Sequence, residues 1–214
     1  MDPHETGRPD ARLFAFFERL KTMSSIRRFG TLPMIEVESV ASHSYNVAIM
    51  ALMVADYDPD LKVDREALLR KALFHDFEET ILSDIPHPIK HRFQGGKLGK
   101  LLKEIVPELI ENEIFKELPE RLKRLYAKSA LGAKEGLEGE IVAAADAMDI
   151  IMTSLRELKL GNKYFESIFD VGIRMLEKHS HLKFARVFID SARLYRAKGD
   201  EAAAQPTFSD EFVM

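Results

Sequence analysis

The chain has 214 residues and a formal net charge of −4, with 31 basic against 35 acidic residues. That length suits one domain, or two at most, with a large buried core. So mild a charge gives no ground for a nucleic-acid polymer or an anionic membrane as partner. There are no cysteines, which excludes disulfides and leaves any metal to histidine, carboxylate or water ligands. No apolar run of about 18 residues occurs and the N-terminus lacks a basic segment followed by an apolar core, so a cytosolic protein without membrane contact is expected.

Residues 1–9 read as a disordered tail, 10–198 as one helical domain and 199–214 as a polar tail. Leu13, Phe16, Phe17 and Leu20 recur at helical spacing and predict an amphipathic helix from Ala11 to Met23. Gly30 and Pro33 make residues 24–37 a structured loop. Its Arg27 and Arg28 beside Phe29 can bind a phosphate and stack on a base, or the loop is solvated with one ring tucked into the core. A second helix is predicted from Ser39, its N-cap, to Tyr57, with Val40, His43, Val47, Met50 and Val54 on one stripe. On that stripe His43 is either a core histidine with one hydrogen bond or a ligand. Asp64 caps a third helix from Arg65 to about Glu79, which places Leu68, Ala72 and His75 on one face. It delivers His75 and Asp76 to its C-terminal end. A carboxylate leaving apolar surroundings is costly unless paired or metal-bound, so the pair reads as half of a metal site. An exposed His-Asp pair at a helix end is the competing reading.

Pro86 and Pro88 fix an extended turn around His87. Two helices with solvated faces are expected over Leu98 to Glu113 and Pro119 to Ser129, then a loop from Gly132 to Gly139. Nothing between 90 and 137 stands out as functional. From Glu140 the chain becomes almost wholly apolar through Met152, interrupted by Asp146 and Asp149. A helix apolar on every side is central to its fold. Alanines flank Asp146 and let an ion or another helix approach; a buried salt bridge would satisfy it equally. Two more helices are predicted, Tyr164 to Lys178 and His181 to Lys198. With no strand pattern, Gly-rich phosphate loop or nucleophile elbow, the expected fold class is all-α, a compact single-domain bundle.

His43, His75 with Asp76, and Asp146 fall on three helices, each in an apolar setting, and one metal accounts for all of them. Two imidazoles and two carboxylates leave about two of six coordination positions open, which suits one Mn, Co, Fe, Mg or catalytic Zn ion per chain.

The order His43 … His75-Asp76 … Asp146 resembles that of the HD-domain metal-dependent phosphohydrolases. Glu38-Ser39-Val40-Ala41-Ser42-His43-Ser44, Phe74-His75-Asp76-Phe77-Glu78-Glu79 and Ser83-Asp84-Ile85-Pro86-His87-Pro88-Ile89-Lys90 resemble the blocks of the YfbR-like 5′-deoxynucleotidases, with Arg28-Phe29 at the matching distance before His43. The resemblance spans roughly residues 11 to 195. It implies an all-helical, usually dimeric enzyme that removes the phosphate from deoxynucleoside 5′-monophosphates. It further implies His43, His75, Asp76 and Asp146 as metal ligands, Glu79 as catalytic glutamate, Asp84 as the second acidic residue near the attacking water, and Arg28 as phosphate binder. Phe29 would pack on sugar or base, and His87 would line the substrate mouth. Asp149 is the alternative fourth ligand, and His87 or His91 would be needed for a second ion. Three positions depart from the pattern. Phe29 stands where enterobacterial members carry tryptophan, Ser42 replaces a frequent glutamate, and Tyr126 to Leu131 lacks an acidic residue that some members use. Two other functions compete: an HD phosphohydrolase of cyclic or polyphosphorylated nucleotides, and a non-catalytic helical protein that binds metal or nucleotide.

Overall fold

The computed structural model describes residues 11–86 and 95–198, and among them helices follow one another without a strand. An isolated antiparallel bridge joins Arg27 to Ser39. The helices are α1 (Arg12–Thr22), α2 (Val40–Tyr57), α3 (Arg65–Phe74), the single turn α4 (Glu79–Leu82), α5 (Lys97–Leu109), α6 (Glu120–Leu131), α7 (Gly136–Lys159), α8 (Phe165–Glu177) and α9 (Lys183–Lys198). A wide π turn, Ile110–Ile114, extends α5.

Local chemistry sets the helix starts. The Ser39 side chain accepts the Ser42 N–H, and Ser42 Oγ accepts the Ser39 N–H, both at 3.1 Å. This reciprocal cap satisfies two of the donors that a helix start leaves open. Ser42, which departs from the family pattern, is thus an exposed capping residue. Asp64 Oδ1 accepts from Glu66 and Ala67 at the start of α3, both at 3.0 Å.

Two apolar clusters make the interior, and the site lies where they meet. The larger gathers Val47, Ala51 and Val54 of α2, Leu68 and Ala72 of α3, the buried length of α7, and Phe169, Leu176 and Ile189 of α8 and α9. Small residues let these helices close: a Cβ on Gly172 of α8 would stand 2.8 Å from Ile151 Cγ1 of α7. The smaller cluster is aromatic, with Phe16, Phe77, Ile110 and Phe115; Phe77 and Phe115 stack with ring centres 5.6 Å apart. Ala72 belongs to one cluster and Phe77 to the other, so His75 and Asp76 sit at the seam.

α3 ends at Phe74 and not near Glu79 as its periodicity suggests. The His75 Nδ1–H donates to the Ala72 carbonyl at 2.8 Å, and the Phe77 N–H turns back to Phe74. Together these convert the helix into a tight turn that restarts as α4. α7 begins at Gly136, inside the segment expected to be a loop, because Gly136 takes a left-handed φ of 67° that turns the chain into the helix. α9 starts at Lys183, two residues later than expected. His87 and His91 lie outside the described residues, as do residues 1–10 and 199–214 that hold the expected tails.

The loop that carries Arg28 and Phe29 is tied down from α7. The buried Glu157 carboxylate accepts the N–H groups of Ile35 (2.9 Å) and Glu36 (2.8 Å). Asn162 joins it, donating both to Glu157 and to the Pro33 carbonyl at 2.7 Å. Burial raises the Glu157 carboxyl pKa, but these N–H donors outweigh it and hold the group ionised below its ordinary range.

The α7–α8 contact gives a direct test. Gly172→Val would drive a branched side chain into Ile151 and should lower unfolding free energy by about 1–3 kcal/mol, read as a shifted urea midpoint at unchanged slope. An unshifted midpoint would mean the two helices can separate freely.

Candidate metal centre

Each imidazole has one nitrogen committed to the scaffold. His43, fully buried on α2, places Nδ1 2.6 Å from Asp149 Oδ2 on α7. His75, at the C-terminal end of α3, uses Nδ1 on the Ala72 carbonyl. With both Nδ1 atoms protonated as donors, both Nε2 atoms carry lone pairs, and they face each other at 3.1 Å. Asp76 Oδ2 lies 3.1 Å from His75 Nε2 and 3.5 Å from His43 Nε2, while Asp146 Oδ1 lies 3.5 Å from His43 Nε2. His43, His75 and Asp146 each offer a ligand atom within 4.8 Å of the others.

This donor set fits a cation. Neighbouring ligands bonded at about 2.0–2.2 Å to one ion stand roughly 3.0–3.5 Å apart, the spacing found here. Electron-rich atoms gathered this closely around His43 Nε2 repel one another unless a proton or a metal lies among them. Asp149 faces away from that point, on the far nitrogen of His43. Its position is that of an orienting partner, not of the alternative fourth ligand weighed from sequence.

Electrostatics carry the same imprint. Burial and the Arg28 guanidinium push the His43 pKa down, but Asp149, Asp76 and Asp146 overcome them and raise it to about 9. Burial opposes ionisation of Asp76, yet His75 and His43 hold it well below the usual carboxylate range. Asp146 is likewise opposed by burial and pulled to about 2 by Lys134, His43 and His75.

The other predicted residues gather around this point. Arg28 is buried, with guanidinium nitrogens 3.6 Å from Asp76 and 4.0 Å from Asp146. Its buried Nε has no hydrogen-bond partner among the described residues. Glu79 is buried at the first position of α4. A continuous third helix reaching Glu79 is expected from sequence; a turn and the new helix α4 bring Glu79 to the cavity beside His75 instead. Asp84 Oδ2 accepts the Phe29 N–H at 2.9 Å, which holds Phe29 in a left-handed conformation with φ 52°. The Phe29 ring meets Phe165 edge-on and lies beneath the Arg28 guanidinium.

A cavity of about 380 Å³ opens beside His75, Asp76 and Glu79. Its far wall is apolar, with Leu102, Val106 and Pro107 of α5, Ile110 of the π turn, and Leu131 of α6. Sequence reading assigned no function to these segments, because an amphipathic helix facing a cavity has the same periodicity as one facing a core. The turn after α6 also brings Lys134 Nζ to 3.4 Å from Asp146 Oδ2.

The 5′-deoxynucleotidase YfbR-like family model matches residues 15–193. The chain belongs to the YfbR-like 5′-deoxynucleotidase family. A 5′-deoxynucleotidase of Vibrio cholerae is 30% identical over 172 residues, 77% of this chain and 86% of that protein. A 5′-deoxynucleotidase of Pectobacterium atrosepticum is 30% identical over 158 residues, 70% of this chain and 76% of the other. In fold, the chain is similar to an HD-domain phosphohydrolase of Listeria innocua, with a TM-score of 0.72 at 24% identity, covering 83% of this chain and 86% of that one. The YfbR-like chain is thus all-α in the HD-domain manner, and no helix among its described residues is long and apolar enough to cross a membrane.

Asp149→Asn would leave His43 without its oriented carboxylate and should weaken divalent-metal affinity about 10–100-fold, measured by competition with a fluorescent chelator. In chelator-stripped protein the raised His43 pKa stabilises the fold fully below about 6.5, and that contribution is lost as pH rises through about 9. Protons and metal compete for His43, so metal affinity should climb over the same window. A flat profile from pH 6.5 to 9 would contradict this balance.

Proposed function

We propose that this chain removes the 5′-phosphate from nucleoside 5′-monophosphates, deoxynucleotides in particular, with one divalent ion held by His43, His75, Asp76 and Asp146. The observation that carries the reading is the approach of His75 Nε2, Asp76 Oδ2 and Asp146 Oδ1 to within 3.1–3.5 Å of His43 Nε2, beside a buried arginine. When bound, the ion supplies positive charge to the phosphate and lowers the pKa of water.

The chain's own side chains do the rest. Arg28, fixed by its N–H bond to the Glu38 carbonyl at 2.9 Å and by the Glu157 clamp on the same loop, presents its guanidinium to the phosphate oxygens. Glu79 accepts a proton from water as its oxygen attacks phosphorus in line with the ester bond; the P–O5′ bond breaks, its electron pair stays on O5′, which takes a proton from solvent, and orthophosphate and nucleoside leave. Asp84 fixes Phe29 with one oxygen and steers the water with the other. Phe29 borders the sugar, and the apolar wall from α5 and α6 accepts the nucleoside and excludes water. His87 lines the mouth in this reading, on the strength of sequence alone. A cytosolic homodimer completes it: Tyr45, Ile49 and Met53 leave an apolar stripe exposed on the outer side of α2, which supports a protein contact.

Phosphate release from deoxy- and ribonucleoside monophosphates, cyclic nucleotides and triphosphates, with Mn²⁺, Co²⁺, Mg²⁺ or Zn²⁺ and with EDTA, tests the substrate. Release from monophosphates that EDTA abolishes is expected; turnover of cyclic or triphosphate substrates alone would replace the reading. Glu79→Gln should keep the ion and lose about 10²–10⁴ in rate, whereas Asp76→Ala should lose both ion and activity. Full activity in Asp76→Ala would remove the ligand assignment.

A further inference from the structure

Asp146 is approached by cations from two sides. Arg28 reaches Oδ1 from the 24–38 loop, and Lys134 reaches Oδ2 from the turn between α6 and α7. The two differ in a way that neutralising Asp146 does not require. Arg28 is enclosed, whereas the Lys134 side chain is 56% exposed and forms part of the wall of the 380 Å³ cavity, alongside His75, Asp76 and Glu79. Arg28 also retains a buried Nε with no hydrogen-bond partner among the described residues.

The placement of Lys134 is built into the backbone. A Cβ on Gly139 would fall 2.4 Å from the Lys134 carbonyl carbon and 2.8 Å from its Cα. Only glycine lets the first turns of α7 pass this close beneath the turn, and that close passage sets Lys134 over Asp146.

Building on the 5′-nucleotidase reading, we propose that Lys134 is a second phosphate-binding side chain. Its ammonium turns from Asp146 Oδ2 to a non-bridging oxygen of the entering monophosphate, across the site from Arg28. A lysine on a flexible stem suits this exchange, since its three donors can serve carboxylate and phosphate in turn. A phosphate monoester carries about −1.5 to −2 charges at neutral pH and gains from cations on both sides; a cyclic diester carries one charge and gains less. Lys134 thus favours monoester dianions over diesters at this site.

The test compares metal-loaded wild type, Lys134→Met and Lys134→Arg. It reads metal content, calorimetric binding of inorganic phosphate and of thymidine, and KM and kcat for thymidine 5′-monophosphate. A charged hydrogen bond predicts that Lys134→Met weakens phosphate binding and raises KM about tenfold or more. Metal content and thymidine binding should be unchanged, and arginine should restore most of the loss. Unaltered phosphate affinity and KM with a fall in metal content or kcat alone would overturn the proposal, leaving Lys134 a partner of Asp146 only. Joint loss of metal and phosphate without rescue by arginine, or no phosphate binding by wild type, would overturn it as well. Weakened phosphate binding in a protein that hydrolyses no nucleotide would uphold Lys134 and remove the 5′-nucleotidase reading, whereas hydrolysis with equal KM in wild type and Lys134→Met would do the reverse.

Discussion

The buried hydrogen bond between His43 Nδ1 and Asp149 Oδ2, 2.6 Å long, is the constraint on which the rest of the structure depends. It crosses from α2 to α7, the two helices that form the middle of the larger core. It also decides which nitrogen of His43 is left to act. Because Asp149 takes Nδ1, Nε2 must point toward α3, where His75 has been turned by its own bond to Ala72. Two hydrogen bonds to the scaffold therefore aim two Nε2 atoms at one place before any ion arrives, and an ion that displaces the His43 proton meets both. A carboxylate behind a histidine ligand both orients the ring and raises its basicity.

Charge balance follows from that arrangement. Asp76, Asp146 and Asp149 concentrate negative charge where two cores meet, and burial makes each of them costly unless compensated. Arg28 and Lys134 compensate at the edges, and a protonated His43 stands in at the centre. The devices that hold the edges are structural: Glu157 fastens the Arg28 loop, Asp84 fixes Phe29, and Gly139 admits the Lys134 turn. The fold spends little regular structure on these positions. Most of the polar residues around the centre come from helix ends or turns, while α2 and α7 supply the rigid frame.

Where sequence was informative, the reason was local and periodic. His43 on an apolar stripe and Asp146 inside an apolar helix were conspicuous because burial and charge conflict there, and the structure brings both to the same point. The all-α class followed from helical spacing with no alternating pattern, and the caps at Ser39 and Asp64 were readable from the N-cap preference for short polar side chains. Reading failed where a side chain overrode propensity. Nothing in the composition of Phe74 to Glu79 announces that the His75 imidazole will take the Ala72 carbonyl and end α3. Asp149 looked like a spare ligand because spacing alone cannot tell a group that faces an ion from one that faces the back of a histidine. Lys134 was invisible for a simpler reason. In a stretch rich in lysine and glutamate its neighbour, Asp146, lies twelve residues on, and only the close passage at Gly139 brings them together.

The most direct measurement is anomalous diffraction from crystals soaked with Mn²⁺ or Co²⁺. The account predicts one strong peak per chain, about 2.0–2.2 Å from His43 Nε2, His75 Nε2, Asp76 Oδ2 and Asp146 Oδ1, with Asp149 still on His43 Nδ1. No peak at this point, a peak bound by Asp149 in place of Asp146, or two ions per chain would contradict it.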